Sequence, residues 1–162
     1  LNPPGLYKGV FWEKNPKLMY LGMQDQFYTF SMFDAQAWYA RDVILGRIKL
    51  PSKEEMQKDD DAWVKREEAL KDAFEKIDFQ ADYVRELCKA TDYPKFDIDM
   101  TVEEFREWEH DKEHSILAYR NKAFKSPCTG TMAPVHHTPW LEAMDDSMKA
   151  FLAVKGGKAA AE

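Results

Sequence analysis

The chain has 162 residues and a mass of 18.9 kDa, with 44% hydrophobic and 32% charged side chains, a make-up that reads as one soluble globular piece rather than a disordered chain. Its formal net charge of −6 argues against nucleic acid, which needs a basic face. No basic amphipathic segment and no run of about 18 apolar residues point to a membrane.

The opening, "LNPPGLYKGVFW", has no Met and reads as a turn joining two strands, as in a chain cut from something longer. Residues 7–12 ("YKGVFW") and 18–22 ("LMYLG") are two strand candidates, separated by a turn signal at Asn15-Pro16. Two strands are marginal alone in water. In "DAQAWYARDVILG", Asp34 as N-cap and Gly46 as stop predict a helix. Ser52 and Glu55 stand in capping-box spacing and open a charged helix expected to reach Phe74. Further helices are expected over 78–90, over 102–122 behind a Thr101/Glu104 capping box, and over the stretch from Pro139 to Leu152. The loop "TDYPKFDID" is broken by Pro94, "SPCTGTMAPVHH" is irregular, and "KGGKAAAE" is a tail that frays. The expected fold class is therefore α+β and mainly helical: two short strands and five helices, with no internal repeat.

Few local patterns carry chemistry. "HDKEH" matches the H-x-x-E-H helix in which His110 and His114 bind zinc and Glu113 activates water. Its plainer reading is a solvated, charged helix face, because no distal carboxylate ligand is evident. His136 and His137 are adjacent and do not converge easily on one metal from regular structure; loop hydrogen bonding explains them. The run Asp59-Asp60-Asp61 reads as a solvated helix face and Cys88 as a packing position. Cys88 and Cys128 lack CxxC spacing, form neither a disulfide framework nor a zinc cluster, and fit a reducing cytoplasm. Neither G-x-G-x-x-G nor G-x-x-x-x-G-K-[ST] is present, so the chain has no phosphate cradle of its own. The most pointed feature is "YLGMQDQFYTF", where Gln24, Asp25 and Gln26 interrupt an apolar run. Buried without partners they would be costly, so either this is a surface loop or the polar atoms face a ligand.

That stretch, followed by "FDAQAWYARDVILG", resembles the end of the flavin domain in flavin-containing monooxygenases, with "QAW" where that family often has Q-A-x-W. "FQADYV", "TDYPKFDID" and "TGTMAPVHHTPWLEAMDD" resemble more narrowly the bacterial trimethylamine monooxygenase branch, and the likeness runs from about Leu6 to Leu152. The resemblance implies that residues 1–50 are the C-terminal end of a Rossmann-like FAD-binding α/β domain. It makes 51–154 a helical extension and 155–162 a flexible tail. The N-terminal dinucleotide-binding part, with its glycine fingerprints for FAD and NADPH, would lie upstream. For the whole enzyme it implies a cytoplasmic homodimer that uses NADPH, FAD and O2 to convert small amines such as trimethylamine to N-oxides. Oxygen would pass through a flavin C4a hydroperoxide shielded by retained NADP+. Gln26 and Thr29 would lie at the flavin ring and the nicotinamide end, with Gln24 and Asp25 beside them. Trp108 would wall the cofactor and substrate cavity, where an aromatic face attracts a small ammonium, or else would simply pack in the core. No catalytic residue and no metal ligand is implied within this chain. The alternatives are a non-catalytic helical packing fragment or a zinc hydrolase built on His110, Glu113 and His114.

Overall fold

The computed structural model describes residues 3–24 and 27–132. The His136-His137 pair and the helix expected to run from Pro139 to Leu152 lie outside the described residues, as do Asp25 and Gln26. The contacts divide the chain into two compact units, residues 1–109 and 110–162.

The first unit begins with a hairpin tighter than expected. Strands β1 (Leu6–Tyr7) and β2 (Phe11–Trp12) pair antiparallel with Leu6 opposite Trp12 and Tyr7 opposite Phe11. The stretch 7–12 is thus not one strand but a chain that reverses within itself. Lys8 at φ 52° and Gly9 at φ 63° make the reversal, and left-handed backbone of this kind is cheap only for glycine. The second expected strand adds one bridge, Phe11 to Met19, supported by the Trp12 N–H on the Leu18 carbonyl and the Tyr20 N–H on the Val10 carbonyl.

Helix α1 (Thr29–Ile44) begins five residues before the expected Asp34 cap; its N-cap is Tyr28, which offers no side-chain capping bond. Its buried stripe, Met32, Ala35, Gln36, Tyr39 and Ala40, has helical period. Gly46 at φ 71° ends it as expected. Helix α2 (Lys53–Glu68) carries the Ser52/Glu55 capping box but stops short of Phe74. Asp72 instead caps a new helix by accepting the Glu75 N–H, so α3 (Ala73–Ala90) starts five residues before the expected 78. Helix α4 (Ile98–His114) is opened by Asp97, whose carboxylate accepts the Met100 N–H; Thr101 lies inside it, bonded to the Asp97 carbonyl. The expected cap at Thr101 loses because Asp97 reaches the earlier turn first.

The core of this unit sits between α1 and α3. Ile77, Gln80, Ala81, Val84 and Leu87 of α3 face the α1 stripe, with Phe79 and Tyr83 beneath the side chain of Trp63. Each fully buried aliphatic or aromatic side chain here contributes about 1.5–3 kcal/mol. Against expectation, only Asp61 of the Asp59-Asp60-Asp61 run is solvated. Asp60 is buried and accepts the Gly5 N–H at 2.7 Å, and Asp59 pairs with Lys8 at 2.8 Å, so the run fastens the hairpin to α2. Lys8 also pairs with Glu86.

In the second unit, the described residues comprise the last turn of α4, a 3₁₀ turn at Tyr119–Asn121 and a bridge between Lys125 and Met132. The helix expected to continue to 122 ends at His114. No described helix is long and apolar enough to cross a membrane.

Candidate functional site

The polar interruption at 24–26 lies on the loop between the Met19 bridge and α1. Gly22 opens it at φ 74°, and a Cβ there would stand 2.7 Å from the ring of Phe33. The loop is held by side chains from two helices. The Gly22 N–H donates to Gln36 Oε1 at 2.8 Å, and the Phe27 N–H donates to Gln80 Oε1 at 2.7 Å.

Gln24 does not face outward. It is buried, donating through Nε2 to the Gly9 carbonyl at 3.0 Å and accepting at Oε1 from Gln36 Nε2 at 2.5 Å. Gln36 Nε2 also donates to the Tyr83 hydroxyl at 2.9 Å, which in turn donates to the Lys8 carbonyl at 2.6 Å. The premise that these polar groups lack partners within the chain therefore fails for Gln24. Its partners stand 12 to 15 residues away, out of reach of local reading.

Thr29 is the first residue of α1 and is exposed. Beside it in sequence, Phe30 is 81% exposed, and Leu21 and Met23 are about half exposed. No acidic residue stands in the first turn of α1, and its N-cap Tyr28 makes no side-chain capping bond.

Trp108 is half-buried on α4, one turn beyond Phe105. Phe105 packs against Phe27, with ring centroids 5.8 Å apart, and edge-on against Tyr28 at 4.9 Å. The structure thus brings Phe105 of α4 against the residues that precede Thr29. Gln26 lies outside the described residues.

The zinc-like pattern takes another form. The rings of His110 and His114 stack on each other 4.2 Å apart, and His114 Nδ1 bonds the His110 carbonyl at 2.8 Å. Among the described residues no group of three His, Cys, Asp or Glu is arranged to hold a metal. Cys88 packs against the core, and burial pushes its thiol up to about 11, away from a nucleophile's range.

Sequence reading missed Gln36, Gln80 and Tyr83. The one signal for them was periodic: each falls on the apolar stripe of its helix, where an amide or a phenol needs a partner.

No protein-family model matches the chain. It is 62% identical over 151 residues to the trimethylamine monooxygenase of Methylocella silvestris, covering 93% of this chain and 34% of that protein. It is 59% identical over 152 residues to the enzyme of the same name from Pelagibacter ubique, covering 94% of this chain and again 34% of the relative. This chain is homologous to the C-terminal third of the trimethylamine monooxygenases. It also superposes on the crystal structure of Tmm from Pelagibacter sp. strain HTCC7211 with a TM-score of 0.83 and 60% identity, over 92% of this chain and 34% of that one. The chain therefore spans about a third of the length of the curated relatives it matches. Over the described residues the architecture is mainly helical, with four α-helices and two short strands.

Proposed function

We propose that this chain forms the C-terminal part of an NADPH- and FAD-dependent monooxygenase that N-oxygenates small amines such as trimethylamine. The observation that carries the reading is 59–62% identity to trimethylamine monooxygenases over more than nine-tenths of the chain. In this reading residues 1–50 complete the FAD-binding domain, residues 51–154 pack around it, and an upstream part brings the phosphate-binding loops that this sequence lacks.

A bound flavin would supply the redox chemistry, taking electrons from NADPH and passing them to O2, so that one oxygen atom reaches the amine nitrogen and the other leaves as water. This chain's residues supply a wall and donors. The Thr29 hydroxyl and the uncapped N–H groups of α1 offer hydrogen bonds to the polar edge of the ring or to the nicotinamide, with Gln26 two residues before the helix cap. Leu21, Met23 and Phe30 offer apolar contact that excludes water, and Gln24, turned inward, shapes the loop without touching the ring. Trp108 offers an aromatic face that suits a small cationic amine.

The test is substitution of Thr29 and Gln26 by alanine in the full-length protein that carries this sequence. Each is expected to weaken flavin or NADP+ binding by about 0.5–1.5 kcal/mol, the net worth of one hydrogen bond, with the fold unchanged by circular dichroism. Unaltered cofactor affinity and N-oxide formation in both variants would overturn the assignment.

A further inference from the structure

We infer that Gln36, Gln80 and Tyr83 are positioning residues whose task is to hold the loop 22–27 in register with the cofactor, an inference that rests on the reading of that loop as the flavin-facing segment. All three are buried: Gln36 and Tyr83 are fully enclosed and Gln80 is 2% exposed. Each reaches a backbone group, and Gln36 and Tyr83 are also bonded to each other. Gln36 takes the Gly22 N–H, Gln80 takes the Phe27 N–H, and Tyr83 gives its proton to the Lys8 carbonyl.

Stability alone does not account for this choice. A buried polar network costs desolvation of every member, and apolar replacements of similar shape are often as stable. What the network adds is a unique geometry. The two ends of the loop are bonded to two different helices, Gly22 to α1 and Phe27 to α3, and those helices share the core. Residues 25 and 26 lie between the two fastenings. Gly22 and Phe27 therefore cannot shift without breaking a buried bond, whereas an apolar core beneath them would let them slide. Gln24 adds a third point, tying the loop to the hairpin turn through the Gly9 carbonyl.

The discriminating pair of variants is Gln80→Met and Gln80→Glu. The first keeps the volume and removes the acceptor for the Phe27 N–H; the second keeps an acceptor oxygen. In the 162-residue chain, the Phe27 amide of Gln80→Met is expected to exchange with solvent roughly tenfold faster at matched global stability, as an amide whose local opening has become easier, and Gln80→Glu is expected to restore slow exchange. In the full-length protein, Gln80→Met is expected to raise the FAD dissociation constant and shift the flavin visible band, with Gln80→Glu again close to wild type. Unchanged Phe27 exchange in Gln80→Met would overturn the fastening itself. Faster exchange with an unmoved flavin band and unchanged FAD affinity would leave the fastening standing and overturn the reading of the loop as flavin-facing, and the positioning role with it.

Discussion

Tyr83→Phe removes a single oxygen atom from a side chain with no exposed surface, and its consequence can be worked from the contacts. The hydroxyl donates to the Lys8 carbonyl at 2.6 Å and accepts from Gln36 Nε2 at 2.9 Å. Lys8 sits at φ 52°, a left-handed conformation unusual for a lysine, so its carbonyl belongs to a turn that needs holding. The ring itself stays, together with its edge contact to Trp63 at 5.9 Å, so there is almost no cavity to charge to the variant. The loss is therefore polar: a carbonyl and an amide proton are left in a dry core without a partner. Such groups cost about 1–3 kcal/mol each when unsatisfied, and partial relaxation of the turn brings the total to roughly 2–4 kcal/mol. That is a large fraction of the 5–15 kcal/mol or so that holds a domain of this size. Urea unfolding followed by tryptophan fluorescence measures it, with Trp63 reporting from beside the substituted ring. Tyr20→Phe, on a side chain 39% exposed, is the matched control and should change stability by less than about 0.5 kcal/mol. If Tyr83→Phe were as stable as that control, the network would not be a constraint, and its positioning role would fall with it.

Gly9→Ala attacks the same network from the hairpin side. At φ +63° its new Cβ would stand 2.7 Å from Gln24 Nε2 and 2.8 Å from the Tyr83 hydroxyl, so left-handed strain and overpacking together should cost about 2–4 kcal/mol, read as a fall in thermal midpoint. Glu13→Gln tests the acids under the hairpin. Burial first, and then Asp60 and Asp61 nearby, raise the Glu13 carboxyl; burial also raises Asp60, against the Gly5 hydrogen bond that lowers it. A carboxyl raised in the folded state binds its proton more tightly there than when unfolded, so its ionised form is a penalty that grows as pH rises through the folded value. Glu13→Gln is accordingly expected to raise the unfolding midpoint at neutral pH, with the gain fading as pH falls toward the ordinary carboxylate range. A gain that is instead largest in acid would reverse the sign of the argument.

What the sequence made legible was what local chemistry decides. The Ser52/Glu55 box and the Gly46 stop act within one helical turn, and both stand in the structure as read. The errors arose where two local signals competed. Asp34 reads as an N-cap, so α1 is expected to begin there, but packing of Met32 and Ala35 against the core goes with a helix that starts at Thr29. Asp72 was hidden inside an expected long helix, though its spacing to Glu75 is that of a cap. The burial of Asp60 and the partners of Gln24 escape local reading for a different reason. Whether a polar side chain is solvated or buried depends on partners far along the chain, Gly5 for Asp60 and Gly9 and Gln36 for Gln24, and no window of neighbouring residues contains them.

The same long-range contacts link the neighbourhoods of two residues 79 positions apart in the chain (108 − 29). Thr29 follows Tyr28, and Trp108 follows Phe105 by one helical turn, while Tyr28 and Phe105 meet edge to face at 4.9 Å. Phe27, on the other side of Tyr28, touches the same Phe105 ring and has its N–H held by Gln80. Aromatic pairs of this kind add about 0.5–1.5 kcal/mol beyond their burial and fix relative orientation more firmly than aliphatic contacts do. The start of α1 and the Phe105 turn of α4 are therefore set against each other by one aromatic cluster; the N–H of its Phe27 member is held by Gln80 of α3, and the Arg106–Asp78 and Arg85–Asp99 pairs also bridge α4 to α3. A substitution at Gln80 thus acts on that cluster, whereas one at Gln36 acts on Gly22, Gln24 and Tyr83.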